Sequence, residues 1–453
     1  MSATQSVISP STEEVIGAVP RRTLAEVDAI IARAAGVAPA WRRVTPADRS
    51  RLLRRFAEVV DAHIEELALL EVANAGHTIT NARWEAGNVR DVLAYYAGAP
   101  ERFTGHQIPV AGGVDMTFHE PLGVVGVIAP WNFPMPIASW GFAPALAAGN
   151  AVVLKPATLT PLTALRLGEL ALEAGLPEGV FQVVTGDGAL VGGRLVSHEA
   201  VRKICFTGST AVGRTVMAGC AEQMKRVTLE LGGKSANIVF ADADVERAAA
   251  QAPYAVFDNA GQDCCARSRI LVEQSAYQRF MELFEVAVQA VRVLDPADER
   301  SEMGPLISGA HRETVAAYVA SAEVAFVGSR PEGAGYWYAP TVLVGDRTGR
   351  AYQEEIFGPV VSVVPFADEA EAVALANEGL FGLSGSLWTR DVGRALRVAR
   401  AVETGTLSVN SNASVRYATP FGGFKQSGLG RELGPDALKE FSEEKNVFIA
   451  TEE

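Results

Sequence analysis

The chain has 453 residues, 48% hydrophobic and 21% charged, which allows a large core in roughly two to four domains. Its 53 acids against 40 bases give a formal charge of -13, which argues against a nucleic-acid partner, since those need a basic stripe. Four cysteines make no disulfide scaffold, and six histidines without HExxH make no obvious metal site. The start "MSATQSVISPSTEEVIG" lacks the basic and apolar regions of a signal, and no apolar run reaches membrane-spanning length. The expectation is no membrane partner and a cytoplasmic, reducing compartment with free thiols.

In chain order, "LAEVDAIIARAAGVA" predicts a helix over 24–38, with Pro39 past its end. Residues 46–98 carry long helical periodicity, and 46–77, "PADRSRLLRRFAEVVDAHIEELALLEVANAGH", reads as one or two amphipathic helices opening at Pro46 and Asp48. The segment "RFTGHQIPVAGGVDMTFHEPLG" alternates around a Gly-Gly turn and predicts an antiparallel hairpin. From 122 onward, short apolar runs such as "GVVGVIAP", "AVVLKPA", "VFQVVTG" and "VRKICFTGS" alternate with helical stretches, one of them closed by Gly149. That spacing predicts parallel sheets covered on both faces. A second series begins near "RVTLELGGKSANIVF". The expected fold class is therefore α/β: two α/β lobes with an antiparallel element set apart.

The segment "NAGQDCCARSR" sets Cys264 beside Cys265 in what reads as a turn. Buried packing and nucleophilic chemistry both remain open for a cysteine there. Glycine before it lets backbone amides approach a ligand, as an oxyanion requires. Glu230, before Gly-Gly-Lys, reads as a general base or as a surface acid before a turn. Asn132 follows a predicted strand, where open parallel sheets bind ligands, and reads as an amide donor or an Asx turn. Gly208, Ser209 and Gly213 lie between a strand and a helix, which suits a phosphate at the helix amino terminus. Lys155 also follows a strand, as a ribose contact or a strand-end lysine.

Taken together, these segments resemble the aldehyde dehydrogenase superfamily, of the hydrolytic, non-phosphorylating, NAD(P)-dependent type. The matching stretches stand in family order: "APWNFP" at 129–134, "KPA" at 155–157, "FTGST" at 206–210, "ELGGKS" at 230–235, "GQDC" at 261–264, "EEIFGPV" at 354–360 and "PFGGFKQSG" at 420–428. The resemblance implies a Rossmann-like cofactor domain over 1–104 and 120–228 and an α/β catalytic domain over 229–409. It also implies an oligomerisation element over 105–119 and 430–453, with 410–429 returning to line the active site. It implies Cys264 as nucleophile, Glu230 as general base and Asn132 as the amide that holds the thiohemiacetal oxygen. Trp131, Lys155, Thr158, Gly208, Ser209, Gly213, Leu231, Glu355 and Phe357 are the implied cofactor contacts. Met135, Trp140, Asp258, Asp263, Cys265, Val415 and Phe421 are the implied substrate tunnel, with Ala413 and Arg416 nearby. The implied partner copies form a homodimer, or a tetramer of stacked dimers.

Two departures from the family pattern stand out. Many members carry a glutamate at the position of Thr158 that binds the adenosine ribose; a threonine would not repel a 2′-phosphate, which favours NADP or dual use over NAD alone. The amino-terminal "VISPSTEEVIGAVP" matches a segment most members reach only after further residues. Met135, Trp140 and Val415 suggest a neutral aliphatic or aromatic aldehyde. Asp258 and Asp263 would suit an amino-aldehyde, and Arg416 a semialdehyde. A CoA-acylating dehydrogenase is disfavoured by Glu230, and a non-enzymatic dinucleotide-binding or structural protein by the joint presence of Asn132, Glu230, Cys264 and Glu355.

Overall fold

The computed structural model of the protein describes residues 3–413 and 415–451. Two large sheets organise it. The first runs, from edge to edge, Gly428–Leu429, Arg226–Glu230, Val201–Thr207, Val124–Ile128, Ala151–Lys155 and Phe181–Val183. All its neighbours pair in parallel except the short edge strand Gly428–Leu429. Val124–Ile128 and Ala151–Lys155 are buried at every position, the continuous apolar pattern of strands covered on both faces. From Val124–Ile128 the chain builds outward on one side, then returns to build on the other. The strand order therefore reverses beside Val124–Ile128, and a crevice opens there beyond the carboxyl ends of the strands.

The second sheet runs Glu323–Val327, Thr341–Val344, Val360–Phe366, Arg269–Glu273, Ala236–Val239, Ser384–Trp388 and Thr406–Val409. It is parallel save for the antiparallel edge strand Glu323–Val327. The chain crosses from the first sheet to the second between Glu230 and Ala236, through Gly232 and Gly233. A third, antiparallel sheet joins Gln107–Val110, Gly113–Pro121 and Ser442–Ala450. This is the hairpin expected from its Gly-Gly turn, completed by the carboxyl-terminal strand.

One helical expectation needs correction. The first helix spans Leu24–Arg42 and carries Pro39 inside it. Its buried stripe Val27, Ile31, Ala34, Ala38 and Trp41 continues past the proline, and the Trp41 indole N–H donates to the Leu146 carbonyl at 3.3 Å. Burying that tryptophan on an exposed proline's far side holds the last turn despite the lost hydrogen bond. The expected helical stretch holds: residues 46–77 form two helices, Pro46–Ala62 and Ile64–Ala75, and a third, Ile79–Ala97, continues it. The second ends at Gly76, whose φ of 75° closes it with a left-handed residue.

Candidate functional site

Strand ends from both sheets converge on one region. Val124–Ile128 delivers Ala129 to Asn132, Val201–Thr207 delivers Gly208 and Ser209, and Arg226–Glu230 ends on the acid itself. A cleft of about 440 Å³ is lined there by Trp131, Asn132, Lys155, Thr158, Gly208, Ser209, Glu230, Leu231, Cys264, Glu355 and Phe357, among others. A second cavity of about 420 Å³ is lined by Trp140, Asp258, Asp263, Cys264, Cys265, Ala413, Val415 and Phe421. Cys264 belongs to both walls, and Cys265 only to the second.

The loop that carries Cys264 is held in an unusual backbone conformation. Asn259, Ala260 and Gly261 all have positive φ, at 50°, 55° and 70°. A Cβ on Gly261 would lie 2.0 Å from the Gly358 carbonyl oxygen, so only glycine fits. Side-chain amides hold Asn259 there. The Gln262 amide donates to the carbonyls of Asn259, at 3.0 Å, and Pro305, at 3.4 Å, and accepts from Ile307 N–H at 2.8 Å. Asn259 Nδ2 donates to the Asn132 carbonyl at 2.8 Å, and Asn132 Nδ2 donates to the Gln262 carbonyl at 3.0 Å. The buried Asn132 is thus stitched to the cysteine loop, with one of its two amide hydrogens used. The Cys264 N–H has no acceptor among the described residues. Gly233 backs the loop, since a Cβ there would meet the Cys264 carbonyl oxygen at 2.3 Å.

Electrostatics set the protonation of the key groups. A hydrogen bond with Cys265 and burial push the Cys264 thiol above its ordinary range, helped by the Asp263 and Glu355 charges. Burial, then the neighbouring Glu432, hold Glu230 well above the usual carboxylate range, against a smaller pull from Arg431. Glu230 is 2% exposed, and neither carboxyl oxygen has a hydrogen-bond partner among the described residues. An unpaired buried carboxyl is costly, and such groups gather at reactive centres. Glu355 rests on the Gly232–Gly233 turn, accepting from Gly233 N–H at 2.8 Å, and burial raises it to about 7. Lys155 is buried, donates to the Pro156 carbonyl at 2.8 Å and is lowered to about 8 by burial. Ser209 caps the helix Thr210–Ala221, accepting from Val212 N–H. Phe357 packs edge-on against Trp131 at 5.2 Å.

Most of the residues singled out in the sequence meet in these two cavities, and three do not. Met135 is wholly buried in the core and absent from the tunnel wall. It lies on the helix Pro134–Ala147, buried at all fourteen positions, so nothing in the apolar pattern marks its tunnel face. Gly213 stands behind the cleft wall: a Cβ there would lie 2.5 Å from Leu231, so its role is close packing of the helix on that side chain. Arg416 is exposed and lines neither cavity.

Other wall residues were not foreseen. Asn81, Trp84, Phe133, Ile137, Tyr254 and Asn412 line the tunnel. Arg267 is buried in the tunnel wall and donates to Ser386, the Cys265 carbonyl and the Gly385 carbonyl. The one local signal was an arginine two residues past paired cysteines. Glu432 comes from a distant turn that bridges Phe421, so no local pattern could link it to Glu230.

Comparison with known proteins bears on all of this. The profile of the aldehyde dehydrogenase family matches residues 1–447. An aldehyde dehydrogenase of Emericella nidulans is 43% identical, covering 98% of this chain and 91% of that protein. A phenylacetaldehyde dehydrogenase of Pseudomonas fluorescens is 41% identical, over 99% of this chain and 93% of that one. Among solved structures, an NAD-dependent aldehyde dehydrogenase from Sinorhizobium meliloti superposes with a TM-score of 0.97 at 41% identity, covering 99% and 91% of the two chains. An NADP-dependent enzyme of E. coli gives 0.97 at 37% identity, over 99% and 95%.

Proposed function

The chain belongs to the aldehyde dehydrogenase family, and from that premise we propose that it oxidises a neutral aldehyde to its carboxylic acid through a thioester on Cys264. The observation that carries the reading is that Cys264 forms part of both cavity walls, so a thiol there meets an aldehyde from one side and a dinucleotide from the other.

The cleft beside Trp131 and Lys155 fits a dinucleotide. Its volume of about 440 Å³ is in the range of cofactor sites, and a twelve-residue helix starts at its wall, where the Thr210 and Ala211 amides ahead of the capped Val212 N–H can meet a phosphate. Lys155 and Thr158 supply donors for a ribose, and Glu355 and Phe357 stand near Cys264. A nicotinamide bound there supplies the hydride acceptor.

The chain's own groups do the rest. Glu230 takes the Cys264 proton, and the sulfur bonds to the aldehyde carbon. The free hydrogen of the Asn132 amide and the Cys264 N–H donate to the oxygen as it becomes an alkoxide. After hydride loss the carbon is a thioester on Cys264. Glu230 releases the thiol proton to solvent and then takes a proton from water, whose hydroxyl adds to that carbon; the sulfur departs and takes that proton back. The acid leaves and the thiol returns. The raised affinity of Glu230 for a proton makes it a stronger base than an exposed carboxylate.

A neutral substrate is supported by the tunnel charges, which are already engaged. Asp263 accepts from Cys265 N–H at 2.8 Å, Asp258 from Asn259 N–H at 3.0 Å, and Arg267 donates inward. What remains is an aromatic and aliphatic wall of Trp84, Phe133, Ile137, Trp140, Val415 and Phe421. The absence of an acid at Thr158 favours NADP or dual use. On this reading residues 1–104 and 120–228 carry the cofactor, 229–409 the nucleophile, and 410–429 return to the site. The sheet Gln107–Val110, Gly113–Pro121 and Ser442–Ala450 exposes Phe118, Phe448 and Ile449 and leaves a nine-residue edge strand open, which suits pairing into a dimer. No helix among the described residues is long and apolar enough to cross a membrane. The four cysteines are free, which fits the cytoplasm.

The test is absorbance at 340 nm with a panel of aromatic, aliphatic, amino- and carboxy-aldehydes, run separately with NAD and NADP. Reduced dinucleotide with neutral aldehydes is expected. Silence across the panel from folded protein would refute the function, and a best rate with a charged aldehyde would refute the substrate class.

A further inference from the structure

Part of the tunnel wall lies outside the regular elements. Residues 411–413, just past the strand Thr406–Val409, belong to no helix or strand, yet Asn412 and Ala413 line the tunnel. No ladder sets their place, so other bonds must. Bonded to them is Arg267, 2% exposed and itself part of the tunnel wall. Its guanidinium reaches three separate pieces of chain. Nη1 donates to the Cys265 carbonyl, beside the nucleophile. Nε donates to Ser386 Oγ at 2.9 Å and Nη2 to the Gly385 carbonyl at 3.2 Å, both on the strand Ser384–Trp388. Nη2 also donates to the Asn412 carbonyl at 3.3 Å. A guanidinium holds its N–H groups in a rigid fork, so this one side chain fixes the three pieces relative to one another.

We infer that Arg267 is a positioning residue that sets the tunnel wall at Asn412 and Ala413, and through it the preference for a large apolar aldehyde over a small one. The inference rests on the reading of this cavity as the aldehyde tunnel. Asn412 is gripped on two sides, since its Nδ2 donates to the Gln251 carbonyl at 3.1 Å, in the helix Val245–Val256. The Arg267 backbone N–H donates to the Ala255 carbonyl of the same helix at 2.8 Å. The clamp therefore stands on a regular element, and the segment it holds does not.

The nucleophile and the cofactor have other supports. The Cys264 turn keeps its bonds through Gln262, Asn259 and Asn132, and Asp263 accepts from Cys265 N–H at 2.8 Å. None of these uses the guanidinium. The dinucleotide cleft is lined by neither Arg267 nor Asn412 nor Ala413. Loss of the clamp therefore falls first on the wall. A large apolar aldehyde must pack on that wall, which it shares with Trp84, Phe133 and Val415, whereas a short one such as propanal needs little beyond the thiol end. Burial lowers the Arg267 pKa, opposed by Cys265, Asp263 and Cys264, and a guanidinium keeps its charge and its donors at ordinary pH. Removing those donors strands buried carbonyls, which then seek water or new partners.

The test compares Arg267→Met, Arg267→Lys and Ser386→Ala with the wild type. Met keeps the apolar stem and loses every donor, and Lys keeps the charge and loses the fork. Ser386 is 0% exposed and lines neither cavity, so an effect of its loss on selectivity must pass through Arg267. For each, kcat and KM are measured with 3-phenylpropanal and with propanal at saturating dinucleotide. The dinucleotide KM and the rate of Cys264 alkylation by iodoacetamide are measured beside them. Alkylation joins sulfur to carbon, releases iodide and the thiol proton, and needs no tunnel wall. The ratio of kcat/KM for 3-phenylpropanal to that for propanal should fall by about tenfold or more in Arg267→Met, mostly through KM of the larger aldehyde. A fall of about threefold is expected in the other two, with dinucleotide KM and alkylation within about threefold of wild type throughout. An unchanged ratio in a folded Arg267 variant would overturn the inference. So would equal losses for both aldehydes, or alkylation slowed in parallel, since either makes Arg267 a support of the thiol. If Arg267→Met does not fold, the same ratio in Arg267→Lys and Ser386→Ala decides. An inactive wild type would instead refute the dehydrogenase reading, and a wild type that turns over only charged aldehydes the reading of the tunnel as apolar.

Discussion

Gly233→Ala should disable the nucleophile without touching any reacting atom. The added methyl would stand 2.3 Å from the Cys264 carbonyl oxygen and 3.4 Å from Leu383 Cβ. An ordinary contact is about 3.4 Å, so the Cys264 peptide must retreat by roughly 1 Å, because a backbone oxygen has no side-chain freedom to use. The Gly233 N–H also holds Glu355 at 2.8 Å, so the shift reaches the nicotinamide side of the cleft. A displacement of that size at a reacting atom costs about 10²-fold in rate. Overpacking adds about 1–3 kcal/mol of instability, small enough for the protein to remain folded. The assay is kcat at saturating aldehyde and dinucleotide, with circular dichroism and thermal melting as controls. A Gly233→Ala enzyme within twofold of wild type in kcat would show that the loop is not pinned as described.

Other predictions follow from the same geometry. Glu432→Gln removes the like charge that helps raise Glu230. Glu230 should then lose its proton at lower pH, and the acid limb of the kcat–pH profile should move to lower pH; a profile that stays or moves up would contradict the coupling. Thr158→Glu should cut the NADP-to-NAD ratio of kcat/KM by at least about tenfold, roughly 1.4 kcal/mol, by setting a carboxylate against a 2′-phosphate. An unchanged ratio would remove Thr158 from the selectivity account. Gly36→Ala, on the exposed face of the first helix with nothing within 4 Å of the new methyl, should stabilise by about 0.5–1 kcal/mol, read as a higher denaturant midpoint. Phe448→Asp should yield monomers by light scattering, and a dimer that persists would move the pairing surface elsewhere.

Much of this site was legible because its residues sit next to strong local signals. Asn132, Lys155, Ser209 and Glu230 each end or follow an apolar strand, and strand ends at a switch point are where a parallel sheet binds ligands. The hairpin at Gly112–Gly113 was legible for a similar reason, since its turn punctuates an alternating run. What failed to read was tertiary. The helix Pro134–Ala147 is buried all round, so its sequence could not separate Trp140 on the tunnel wall from Met135 in the core. Pro39 read as a stop because the buried stripe that carries the helix past it ends only at Trp41. Glu432 meets Glu230 from an element far away in sequence, and a buried acid looks like any other acid until its neighbours are known.

The central claim is a thioester on Cys264 that Glu230 releases, and intact-mass measurement of Glu230→Gln tests it most directly. Mixed with dinucleotide and a good aldehyde, this variant should form about one equivalent of reduced cofactor and then stall, with the acyl group's mass retained on the peptide bearing Cys264. Steady turnover at the wild-type rate with no mass on Cys264 would contradict the account.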